Sequence, residues 1–115
     1  MPLTPTLAIL TDSVTSAGAL AAARFVTRAG AYSAAGGYAF GVTRSSAAAA
    51  GELVPTDILG TAEVEAGAAI VDGDPVMSDA TGRAVPHTGT NVKLGRAMKA
   101  ASAAGKFIEV HLIPN

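Results

Sequence analysis

Phe40-Gly41-Val42-Thr43 is followed, ten residues after its glycine, by Ala49-Ala50-Gly51-Glu52-Leu53-Val54 and then Ile58-Leu59. Leu94-Gly95 leads at the same spacing to Ala103-Ala104-Gly105, then Phe107-Ile108 and Leu112-Ile113. Each position of the second series lies 54 residues after its counterpart, as 41 to 95 and 51 to 105 show. The chain holds 26 alanines, so alanine matches carry little weight. The signal rests on the two glycines and the apolar pairs around them. A recurrence of this kind predicts two similar strand–connector–strand units that share one core. The repeated residues are turn glycines and core types, so the repeat is architectural and not catalytic.

Working outward, Lys106–Ile113 is the clearest strand. Ile108, Val110 and Leu112 share one face by the two-residue period, and Pro114 ends the run. Val92–Met98 and Tyr38–Thr43 read as further strands. Leu53-Val54 and Ile58-Leu59 read as two strand pieces, with Pro55 placing them at an edge or bulge. Thr61–Glu65 alternates before Gly67. Asp72-Gly73 and Thr81-Gly82 supply turns of a hairpin carrying Val76 and Val85. Ser45–Gly51 is a small-residue connector with room for one helical turn at Ala47–Ala50. Over Ser16–Ala23 a turn leading into a strand at Arg24–Thr27 competes with a short alanine helix. Short strands with a turn signal about every ten residues predict an all-β protein, a small sandwich or barrel-like domain.

Residues 1–16 read as an extended N-terminal arm, and 17–115 as the β domain. Pro2 and Pro5 disfavour helix in the arm. Leu3, Leu7, Ile9 and Leu10 are too apolar for a solvated tail, so they are the expected contact residues toward another subunit or partner. The alternative is that Leu7–Leu10 adds an edge strand to its own domain.

Bulk properties narrow the function. Half the residues are apolar, yet only three Phe, two Tyr and no Trp contribute. An alanine-rich core buries little area per residue, and self-association is a natural way to bury more. A net charge of −1 argues against a nucleic-acid binder that neutralises phosphates. No cysteine is present, which excludes disulfides and thiolate metal sites. No apolar run approaches the roughly 20 residues of a membrane span, and the N-terminus lacks the features of a signal peptide.

Candidate chemistry is sparse. Asp72, Asp74 and Asp79 have Val76 where a calcium loop needs its next oxygen, so they read as turn formers. His87 and His111 are the neutral-pH acid–base candidates, and neither stands in a recognised motif. Phosphate-cradle and nucleophile-elbow motifs are absent. We therefore expect no enzyme, no cofactor and no catalytic or metal site.

From Gly18 onward the chain resembles the phage capsid cement, or head decoration, family. The resemblance rests on Ala17-Gly18-Ala19-Leu20 with Arg24-Phe25-Val26, Gly41-Val42 with Ala50-Gly51-Glu52, and Ala66-Gly67 with Gly73-Asp74-Pro75-Val76. It continues through Asp79-Ala80-Thr81-Gly82-Arg83, Gly95-Arg96-Ala97, Ala104-Gly105 and Ile108-Glu109-Val110. It implies a protein of the virion that is made in the host cytoplasm and binds the outer surface of the capsid. Its partners would be the major capsid protein and itself, with a homotrimer favoured over a dimer. The alternative is a biotinyl or lipoyl carrier, because Ala97-Met98-Lys99-Ala100 resembles the Ala-Met-Lys-Met hairpin of those domains, with Lys99 as acceptor. The final Met is missing here, and Arg96 replaces the usual acid.

Overall fold

The longest strand unites three stretches that the sequence separates, Leu53-Val54, Ile58-Leu59 and Thr61–Glu65. In a computed structural model that describes residues 6–115, Leu53–Glu65 runs as one strand of 13 residues. Pro55 lies inside it, not at a sheet edge. A strand residue's N–H and C=O point the same way, and the Pro55 carbonyl accepts from the Arg44 N–H at 2.9 Å. Arg44 is one residue past the neighbouring strand, so the N–H that proline lacks would serve only the last rung of that ladder.

Eight strands run β1 Ala8–Thr15, β2 Phe25–Val26, β3 Gly41–Thr43, β4 Leu53–Glu65, β5 Pro75–Ser78, β6 Ala84–Pro86, β7 Gly95–Ala97 and β8 Phe107–Leu112. Among the described residues there is no helix. The alanine stretch at 16–23 and the connector at 47–50 are bends, turns and single bridges, because Leu20 and Ala47 pair with each other. The strands expected at 38–43 and 92–98 shorten to three residues each, Gly41–Thr43 and Gly95–Ala97. The sheet order is β2-β3-β4-β8-β7-β5-β6, with β1 on β4, and every strand pair is antiparallel. The Phe25 N–H of β2 donates to the Gly82 carbonyl just before β6, at 2.7 Å, so the sheet nearly closes into a barrel.

The repeat is written into the hydrogen bonds. Residues 41–56 and 95–110 pass through the same succession of strand, bend, bridge, turn and strand. Leu20 and Ala47 exchange two N–H to C=O bonds of 2.9 Å, and so do Ile70 and Ala101. The Gly51 N–H donates to Ser16 and the Gly105 N–H to Ala66, each at 2.8 Å. The Phe40 N–H donates to Val26 at 2.8 Å, and the Leu94 N–H to Val76 at 2.9 Å. Upstream of the connecting loop the offset is 50 residues (20 to 70, 26 to 76), and downstream it is 54. β4 serves both units. Its first half receives β1, with Thr11 opposite Asp57 and Thr15 opposite Leu53. Its second half takes the place of β1 against β8, with Thr61 opposite His111 and Glu65 opposite Phe107.

Two apolar clusters follow the same rule. Val14, Leu20, Val26, Ala47 and Val54 pack together in the first unit. Their counterparts Val64, Ile70, Val76, Ala101 and Ile108 sit in the larger cluster of the second. Close approach explains the repeated glycines. A Cβ on Gly41 would strike the Asp57 carbonyl oxygen and the side chains of Thr56 and Ile58. A Cβ on Gly95 would lie 2.5 Å from the His111 carbonyl oxygen and 2.6 Å from Val110.

A half-buried ionic network joins the units. Glu65 binds Arg24 at 3.1 Å and Arg83 at 3.6 Å, and Arg83 binds Asp79 at 3.2 Å. The Arg24 guanidinium also donates to the Thr81 carbonyl at 2.9 Å and lies 5.6 Å from the Tyr32 ring centre. Asp79 closes the β5–β6 turn, where its carboxylate accepts from the N–H groups of Thr81 and Arg83, both at 2.9 Å. Burial disfavours its charge, but the Arg83 and Thr81 hydrogen bonds prevail and hold its pKa below the usual aspartate value. A depressed carboxyl pKa stabilises the fold above the unfolded value of about 3.9, and that contribution is lost as pH falls through the lower folded value. Urea midpoints should therefore drop more steeply on acidification below pH 4 for the natural protein than for Asp79→Asn. At neutral pH the variant should be less stable by about 1–2 kcal/mol.

Candidate interaction surface

Four of the nine large apolar residues exposed among the described residues lie where β1 crosses the middle of β4. β1 pairs with β4 alone among the described residues, so its outer edge carries free backbone donors and acceptors. Two irregularities mark the crossing. Ile9 bulges out of β1 between Ala8 (opposite Gly60) and Leu10 (opposite Leu59). One step on, Ile58 is skipped on β4. Gly60 adopts a φ of 98°, and a Cβ there would strike the Leu7 carbonyl oxygen. Only glycine lets the chains cross this closely. The Leu7 N–H donates to Thr61 Oγ1 at 2.7 Å, and the Thr61 N–H returns a bond to the Leu7 carbonyl at 2.8 Å.

Leu7, Ile9, Leu10 and Leu59 lie exposed around this crossing. Leu7 and Ile9 are about 70% exposed (70% and 69%), and Leu10 is 51% exposed. Leu10 and Leu59 are direct cross-strand partners on one face. The stretch read as an arm thus belongs, over Ala8–Thr15, to the sheet of its own domain, with Val14 in the core. Leu3 lies outside the described residues.

The remaining candidates do not converge. His87 Nε2 lies 2.6 Å from the Asn91 carbonyl within its own loop, and His111 stands exposed on β8. Neither is bonded to a carboxylate among the described residues. Asp72 and Asp74 flank the turn at Gly73, and Asp79 closes the β5–β6 turn. No group of three or more His, Asp or Glu among the described residues is placed to hold a metal. Lys99 lies on the bent connector between β7 and β8, not at a tight hairpin tip. Intact-mass measurement should show no acyl group on Lys99. A mass increase of one biotin or lipoyl group that disappears in Lys99→Ala would establish the carrier reading.

These features define a small duplicated, barrel-like β protein whose distinguishing surface is an apolar sheet edge. The chain belongs to the phage cement protein family, whose model matches residues 5–112. It is a phage structural protein of that kind. A search of curated proteins gave no significant match. Among solved structures, the chain is similar to the N base of head fiber gp8.5 in bacteriophage phi29, with a TM-score of 0.73 and 19% identity. The similarity covers 90% of this chain and 93% of that one, and at this identity it speaks for the fold. The repeat and the small motifs were legible in the sequence. The part played by Leu59 was not, because its pairing with Leu10 depends on two bulges that leave no local signal.

Proposed function

We propose that the protein binds the outer surface of a phage capsid and cements adjacent capsomers, acting as a homo-oligomer with a trimer favoured over a dimer. Membership of the cement family supports the class. The observation that carries the contact surface is the group of exposed residues Leu7, Ile9 and Leu10 at the edge strand β1 with Leu59 of β4 beside them. Burying four such side chains contributes on the order of 6–10 kcal/mol. Association itself costs roughly 4–15 kcal/mol. A single copy is therefore held weakly, and oligomerisation with repeated contacts around a shell supplies the rest.

The test is the double variant Ile9→Asp with Leu10→Asp, mixed with undecorated capsids and assayed by co-sedimentation. Capsid binding should fall by roughly a hundredfold or more, since charges would replace buried apolar contacts. The thermal midpoint should change little, because both side chains are exposed in the free protein. Unchanged decoration would remove this surface from the interface. Light scattering should give an oligomer, and a concentration-independent monomer would overturn the self-association.

A further inference from the structure

We infer that the connector between β7 and β8 is a receptor for a carboxylate side chain of the capsid surface. The inference rests on the cement reading and adds a second contact with different chemistry. It comes from comparing the two units position by position. In the first unit the connector's backbone is capped from within. Glu52 Oε2 accepts from the Ala48 N–H at 3.0 Å and from the Ala49 N–H at 2.8 Å. The counterpart of Glu52 in the second unit is Lys106, and the counterparts of Ala48 and Ala49 are Ser102 and Ala103. The backbone path is the same, with φ of 90° at Gly51 and 89° at Gly105. Among the described residues, neither the Ser102 nor the Ala103 N–H has a hydrogen-bond partner.

The second unit thus keeps the carboxylate-binding backbone and lacks the carboxylate. Beside that backbone is an open pocket of about 540 Å³, bounded by Ser102, Gly105 and Lys106, with Lys99 and Phe107 also on its wall. Lys106 stands where the first unit has its anion, and Lys99 where it has Ser45, so the site is cationic instead of self-satisfied. A glutamate or aspartate from another chain supplies what Glu52 supplies internally. Its carboxylate meets the two N–H groups and the lysines, while its methylene stem lies against Phe107. The occupant inside the first unit is a carboxylate, which selects that chemistry over a phosphate.

The test uses the full chain labelled with ¹⁵N and titrated with sodium acetate at constant ionic strength. The Ser102 and Ala103 amide signals should move saturably, and those of Ala48 and Ala49 should not. Lys106→Glu should abolish the response, because the introduced side chain occupies the site as Glu52 does. The double variant Lys99→Ala with Lys106→Ala should weaken it at least fivefold without any self-capping. No movement at Ser102 and Ala103, or equal movement at all four amides, overturns the inference. An equal response to sodium sulfate overturns the selection of carboxylate. On capsids, Lys106→Glu should bind at least tenfold more weakly than the natural protein. If the natural protein binds and this variant binds equally, the pocket is not a contact and the cement reading stands. If the natural protein does not bind at all, the cement reading fails, and the acetate titration alone decides the pocket.

Discussion

Gly95→Ala is expected to leave no stably folded protein at 37 °C. The added methyl would meet the His111 carbonyl oxygen and Val110 of β8, both less than 3 Å away. The first of these is backbone within the β7–β8 ladder, where Gly95 pairs with Leu112 and Arg96 with His111. Relief requires the two strands to part, and that exposes Leu94, Val110 and Leu112 of the main cluster. Overpacking a well-filled core costs about 1–3 kcal/mol when side chains can yield, and more when backbone must move. A domain of this size has roughly 5–15 kcal/mol in total. Circular dichroism melts would show the loss directly. A cooperative transition within about 5 °C of the natural protein would mean that the close approach is not a constraint.

The second large effect is Ile108→Ala. Ile108 is fully buried near the start of β8, opposite Val64 of β4. Removing its side chain should lower stability by about 3–5 kcal/mol, from lost transfer free energy and the cavity left behind. The same truncation at its counterpart, Val54→Ala, should cost less, about 2 kcal/mol. Val54 loses fewer carbons and belongs to the smaller cluster. Urea unfolding of the two variants measures both numbers. An equal loss would show that the two units contribute alike to one cooperative core.

What residue order determined here was the recurring local conformation. Gly41 and Gly95 are needed where two backbones touch, and Gly51 and Gly105 where φ is positive, so both pairs survive in the sequence as visible marks. Strand β8 was legible because one of its faces is buried and the other is not, which imposes strict alternation on Ile108, Val110 and Leu112. The family resemblance rested on the same small motifs. The upstream half of the repeat is hidden in the sequence because its constant offset breaks at the loop before β3. Residues 26–41 in the first unit correspond to 76–95 in the second, a segment four residues longer. Only the tertiary structure decided that β4 is continuous through Pro55, since the tolerance of that proline depends on where the neighbouring ladder stops. It also decided that the apolar N-terminal stretch is a strand of its own sheet along Ala8–Thr15, with its large side chains turned outward. The surface formed by Leu7, Ile9, Leu10 and Leu59, and the contrast between Glu52 and Lys106, are relations between distant segments. Such relations arise from the pairing of strands, and no local preference of the chain encodes them.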